Sequence, residues 1–227
     1  MNQESVSSKV SPSSRNFYWH FFQWLLQQCF VFFICYRSRG VKNIPQTGGG
    51  LVLVNHQSFL DPLLVGAPLA RPVSYLARDS LFRVPVVGFI LRKTYVYPIS
   101  RSAASPSTIK NAIRRMQQGY MVGIFPEGTR TQDGSVGEIK PGFISLVRRS
   151  KLPVYPVGIA GAFEVFPRDR KFPRPGKVRV VFGDPLTWEE LLPFTKKGKE
   201  AELVELIRNR IIQCQQEAVD WRNGTIS

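Results

Sequence analysis

LVLVNHQSFLDPLLV, residues 51 to 65, is apolar, then abruptly polar, then apolar again. The first four residues read as a buried strand. Asp61-Pro62 matches a helix start, with aspartate as N-cap and proline at the first helical position. A strand passing into a helix through a short polar link is the unit of an α/β fold, and the chain repeats it. VSYLA, TYVYPI, YMVGIF, LPVYPVGI and KVRVVF read as further strands. SLFRVPVVGFILRK reads as helical in part. SPSTIKNAIRRMQQG, PGFISLVRRS, WEELLPF and residues 198 to 221 read as helices; in the first of these, Ile109, Ala112, Ile113 and Met116 form the apolar face and Gly119 stops the helix. The expected fold is α/β: one layered domain with a central, mostly parallel sheet flanked by helices, over residues 40 to 227.

The 227 residues suffice for one good core. The net charge of +15 calls for an anionic partner: nucleic acid, an acidic membrane surface or a phosphorylated substrate. RNA-type aromatic and basic motifs are missing, which argues against nucleic acid. Cys29, Cys35 and Cys214 fit neither a zinc spacing nor a redox pair, and there are only two histidines, so no metal and no disulfide framework are expected.

Residues 1 to 14 are polar and Ser-rich, and disorder is expected there. Residues 15 to 39 read as an amphipathic or membrane-associated helix. Phe17 to Tyr36 is mostly apolar, Asn16, His20, Gln23 and Gln27 fall on one helical stripe, and Arg15, Arg37 and Arg39 flank the segment. A helix in the membrane interface fits this pattern. A spanning helix and a helix buried in the protein are the alternatives.

Two strand ends carry chemistry, and ligands in such folds bind beyond the carboxyl ends of strands. In NHQSFLD, His56 and Asp61 are five residues apart, about 140° around a continuous helix. They meet only if His56 ends the strand and Asp61 opens the helix. An aspartate on one ring nitrogen then leaves the other as proton acceptor. The plain alternative is a capping aspartate beside a loop histidine. No G-x-S-x-G elbow is present, so the attacking hydroxyl belongs to the substrate. In FPEGTR, Gly128 admits a ligand close to the backbone, and Thr129 and Arg130 offer a hydroxyl and a forked cation suited to phosphate. Glu127 is expected to orient Arg130 or to bond a substrate hydroxyl, the alternative being a turn held by a Glu127–Arg130 ion pair. Arg101, after TYVYPI, is placed to reach the same rim, or is a surface arginine.

Together these residues resemble the 1-acyl-sn-glycerol-3-phosphate acyltransferases of the wider glycerolipid acyltransferase family. The resemblance lies in an NHxSxxD block (Asn55 to Asp61), a second block from Gly88 to Arg101, FPEGTR (Phe125 to Arg130), and the proline-bearing strand LPVYPVGI at 152 to 159. It covers roughly residues 40 to 190. It implies transfer of an acyl group from acyl-CoA or acyl-carrier protein to the free hydroxyl of lysophosphatidic acid, with no cofactor and no acyl-enzyme. It also implies a membrane-associated enzyme, here expected on the cytoplasmic face, with an anionic membrane surface as partner. His56 is then the general base and Asp61 its orienter. Arg101, Gly128, Thr129 and Arg130 hold the phosphate, Glu127 shapes the glycerol site, and Lys140 belongs to the same pocket. Residues 84 to 91 are a candidate acyl groove, with ordinary core as the alternative. The alternative function is the same chemistry on another lysophospholipid or alcohol.

Overall fold

The structure is a computed structural model; it describes residues 17–78, 82–83, 88–89, 96–99 and 106–226. Its seven strands are β1 (Arg37–Arg39), β2 (Gly50–Val54), β3 (Val73–Arg78), β4 (Tyr97–Ile99), β5 (Met121–Ile124), β6 (Val154–Ala160) and β7 (Arg179–Phe182). They form one sheet in the order β1-β7-β6-β2-β5-β3-β4. From β6 to β4 every pair is parallel; β7 runs antiparallel to β6, and β1 pairs parallel to β7. The described helices are α1 (Phe17–Ile34), α2 (Asp61–Gly66), α3 (Pro106–Gln117), α4 (Ile144–Ser150), α5 (Ala162–Val165), α6 (Trp188–Leu191) and α7 (Glu200–Asn223). The α/β layering read from the sequence is the one observed.

The central strand β2 is buried at every position, as a strand covered on both faces must be. Val52 and Val54 point into a core layer with Leu64 and Val65 of α2 and with Phe30 and Ile34 of α1. Leu51 and Leu53 point to the opposite layer, against Ala112 and Met116 of α3, Val147 of α4 and Leu203, Ile207 and Ile211 of α7. The period-two alternation of the strand thus sorts its side chains between two helical layers. Close packing of α7 on the sheet depends on Gly158 in β6, where a Cβ would lie 2.1 Å from Gln215 N.

The N-terminal segment departs from expectation in where its helix ends, and it shows what the polar stripe meets. The helix ends at Ile34, and Arg37–Arg39 leaves it to become the edge strand β1, so the sheet takes in residues upstream of the expected start at 40. Part of the polar stripe turns toward the protein. Gln23 Nε2 donates to the carbonyls of Ala67 (2.8 Å) and Leu69 (2.7 Å), and Gln27 Nε2 donates to Ala67 O (2.7 Å). These glutamines satisfy carbonyls beyond the end of α2, while Phe17, Phe21, Trp24, Leu25, Phe32 and Phe33 are exposed. Among the described residues no helix is long and apolar enough to cross a membrane. Arg101, Arg15, Asn16, the polar segment 1 to 14 and most of residues 84 to 91 lie outside the described residues.

Candidate active site

β2 and β5 are adjacent and parallel, so their carboxyl ends open on the same edge of the sheet. That register brings NHQSFLD and FPEGTR together. His56 follows β2 by two residues, and Asp61 is the first residue of α2. The two meet as the spacing requires: His56 Nδ1 lies 2.7 Å from Asp61 Oδ2. With the carboxylate accepting, Nδ1 carries the proton and Nε2 is left as the acceptor.

Asp61 does not cap its own helix through its side chain. Oδ2 instead accepts from the backbone N–H groups of Gln57 (2.6 Å) and Ser58 (2.8 Å), upstream of it. The carboxylate therefore folds the NHQS link around itself and presents the imidazole. Asp61 is fully buried, and burial pushes its carboxyl above the ordinary aspartate value; the His56 contact and the two backbone donors oppose that shift.

His56 is held through its backbone and one ring face, and its side chain stays partly exposed. Its backbone N–H donates to Glu127 Oε1 at 2.7 Å, and its carbonyl accepts from Thr131 N–H at 2.7 Å. Its ring stacks on Phe125, centroids 4.1 Å apart at 19°, and Phe125 stacks in turn on Tyr75. Asn55 locks the end of β2 to β6: its amide donates to Ile159 O (3.0 Å), and its carbonyl accepts from Ile159 N–H (2.7 Å). Gln57 does the same for the next loops, donating to Gly134 O and accepting from the N–H groups of Ala162 and Phe163.

Glu127 corrects the sequence reading. It makes no ion pair with Arg130, and each of its oxygens accepts a backbone N–H. Buried, it accepts from His56 N–H through one oxygen and from Gly137 N–H (2.9 Å) through the other. Burial raises its carboxyl above the usual range, opposed first by these two backbone bonds.

Arg130 is positioned by Phe59, its guanidinium carbon 3.5 Å from the ring centroid. Its Nη1 is buried and has no hydrogen-bond partner among the described residues. Burial and the nearby Arg168 lower its pKa, while Asp61 and Asp169 act the other way. Gly128, at φ 73°, closes the turn by donating to Phe125 O (3.0 Å), and both Gly128 and Thr129 are exposed. The Lys140 side chain crosses Gly128: a Cβ there would lie 3.3 Å from Lys140 Nζ. Lys140 N–H donates to Pro126 O, which fixes that lysine to the same turn. The structure thus joins His56, Asp61, Glu127, Gly128, Thr129, Arg130 and Lys140 at one sheet edge. Sequence reasoning missed the parts played by Asn55, Gln57, Phe59 and Phe125. The signal for each was present, since all four lie inside or beside the two quoted blocks.

A family model described as acyltransferase matches residues 35–160, more than half of the chain. The chain belongs to the acyltransferase family. It is 27% identical over 177 residues to the 1-acyl-sn-glycerol-3-phosphate acyltransferase of Bacillus subtilis, covering 78% of this chain and 86% of that one. It is 30% identical to the protein of the same description from Borreliella burgdorferi, covering 77% of this chain and 69% of that one. The chain spans about half (51%) of the chloroplastic relative from Brassica napus, at 29% identity. The crystal structure of the 1-acyl-sn-glycerophosphate acyltransferase PlsC from Thermotoga maritima superposes with a TM-score of 0.71 at 23% identity, covering 86% of this chain and 78% of that one. That likeness supports the fold of this acyltransferase.

Proposed function

We propose that this acyltransferase transfers a fatty acyl group from acyl-CoA or acyl-carrier protein to the free hydroxyl of 1-acyl-glycerol-3-phosphate, yielding phosphatidic acid for phospholipid synthesis. The observation that carries the reading is the 2.7 Å His56–Asp61 pair set on the same sheet edge as the Arg130 turn. A base beside an anion cradle suits an acceptor whose hydroxyl and phosphate are separated by a glycerol carbon or two.

His56 Nε2 takes the proton of the acceptor hydroxyl as its oxygen attacks the thioester carbonyl. Asp61 holds the tautomer and stabilises the imidazolium that forms. Collapse of the tetrahedral intermediate breaks the carbon–sulfur bond, and the leaving thiolate takes the proton back from His56. The new ester, the thiol and a neutral His56 result, with no covalent enzyme intermediate. Gly128, Thr129, Arg130 and Lys140 receive the phosphate, and Arg101 is assigned to the same group. Glu127 serves the glycerol site by fixing the backbone of His56. The exposed aromatic face of α1 rests in an anionic membrane surface on the cytoplasmic side, its glutamines turned toward the protein.

The test is transfer to lysophosphatidic acid from labelled acyl-CoA and acyl-carrier protein, wild type against His56→Ala. Phosphatidic acid from wild type and none from a folded variant supports the base role. Near-normal activity in the variant overturns it. An inactive wild type removes the acceptor assignment and moves the assay to other lysolipids.

A further inference from the structure

We propose that the loop over residues 167 to 177, PRDRKFPRPGK, is a second membrane contact of this acyltransferase, distinct from α1, and that its partner is an anionic bilayer surface. This rests on the membrane association proposed above and names a segment for it. The loop carries five basic residues against one acidic. At its tip Phe172 is 79% exposed, beside exposed Arg170 and Lys171. Its base is fixed. The backbone N–H of Arg174 donates to Val165 O (2.9 Å), and the Arg174 side chain donates to Glu164 O, so the chain between is held out as a projection. An aromatic side chain presented on a braced, cationic loop is arranged to enter a headgroup layer while the charges meet acidic lipid.

The loop is continuous with the apolar surface of α1. Pro173, next to Phe172, lines an apolar groove of roughly 490 Å³ together with Phe30, Phe32, Phe33 and Leu60. Phe32 is 82% exposed. Pro173 and the end of α1 therefore border one hydrophobic groove, and Phe172 with the basic residues of the loop follows directly in the chain. The root of the loop also adjoins the site: Phe166 packs against Phe59, the ring that holds Arg130. A bilayer meeting both α1 and this loop lies at the mouth of the phosphate cradle, where a lysolipid arrives. The exposed phenylalanine and the shared apolar groove favour a bilayer over an acidic protein as the partner.

The experiment uses the full chain. Binding to phosphatidylglycerol and phosphatidylcholine vesicles is measured for wild type, the double variant Arg170→Glu/Lys171→Glu, and Phe172→Ser. Turnover is measured in parallel on a short-chain lysophosphatidic acid dispersed as monomers. The expected result is binding of wild type to the anionic vesicles, weakened by about tenfold or more in the double variant and several-fold in Phe172→Ser, with unchanged turnover on the dispersed acceptor. If wild type binds and both variants bind equally well, the loop assignment is overturned and the α1 anchor stands. If wild type does not bind, the membrane reading itself fails. Equal vesicle binding with loss of transfer specifically from acyl-carrier protein assigns the surface to an acidic protein and overturns the proposal. Loss of turnover on the dispersed acceptor does so too, by making the loop part of the catalytic centre.

Discussion

The carboxylate of Glu127 joins the two halves of the site: its Oε1 accepts a 2.7 Å hydrogen bond from the backbone N–H of His56. The residue that precedes Gly128, Thr129 and Arg130 in FPEGTR is thus a brace for the loop that carries His56. In Glu127→Gln one side-chain atom still accepts, but the other is a donor facing the N–H of Gly137. An unmet buried donor costs about 1–3 kcal/mol. The expected outcome is a lower melting temperature and a reduced kcat, with KM for lysophosphatidic acid changed less. Thermal unfolding and steady-state kinetics check it.

Asp61→Asn keeps the shape of the link, with its carbonyl oxygen in the place of Oδ2, because the backbone N–H groups of Gln57 and Ser58 require an acceptor there, and its amide group in the buried place of Oδ1. Nδ1 still donates to that oxygen, but the negative charge that stabilises the imidazolium is gone, so Nε2 is a poorer base. General-base catalysis is worth about 10²–10⁴-fold in all, which bounds the effect. The variant is expected to stay folded and lose activity within that bound, read by the labelled-acyl assay.

The same substitution changes the dependence of stability on pH. Burial raises Asp61 above the ordinary value of 3.8, so the folded state binds the proton more tightly than the unfolded state. Stability contributed by this group is present below the unfolded value and declines as pH rises toward the folded value. Relative to Asp61→Asn, wild type should lose unfolding free energy as pH rises through that window. Urea titrations of both proteins from acid to neutral pH test the sign.

Phe59 holds Arg130 by its ring face. Phe59→Leu removes about 0.5–2 kcal/mol of cation–π attraction. KM for lysophosphatidic acid should rise by about twofold to thirtyfold by the same estimate, with kcat less affected, and an acceptor lacking phosphate should be indifferent to the change. Initial-rate kinetics on the two acceptors separates these cases.

Gly128 sits at φ 73°, in the left-handed region. Gly128→Ala meets backbone strain of roughly 1–2 kcal/mol and brings its methyl group against Lys140 Nζ. A fall in both stability and affinity for the phosphorylated acceptor is expected, measurable by denaturation and by KM.

The sequence by itself determined the α/β layering, because strand-length apolar runs alternate with 3.6-period segments such as Ile109, Ala112, Ile113 and Met116. It also marked His56 and Asp61 as a candidate pair and FPEGTR as a candidate anion turn, with a capping aspartate beside a loop histidine and an ion-paired turn as the alternatives; the pair's 2.7 Å contact lies within reach of local spacing because it joins residues five apart. The role of Glu127, the stack of His56 on Phe125 and the seat of Arg130 on Phe59 depended on the β2–β5 register, which joins segments about 70 residues apart. The orientation of α1 was decided in the same way. Helical periodicity placed Gln23 and Gln27 on one face, but only the carbonyls of Ala67 and Leu69, left open beyond the end of α2, turned that face toward the protein. Periodicity defines a face; the partner across it comes from the packing of distant segments.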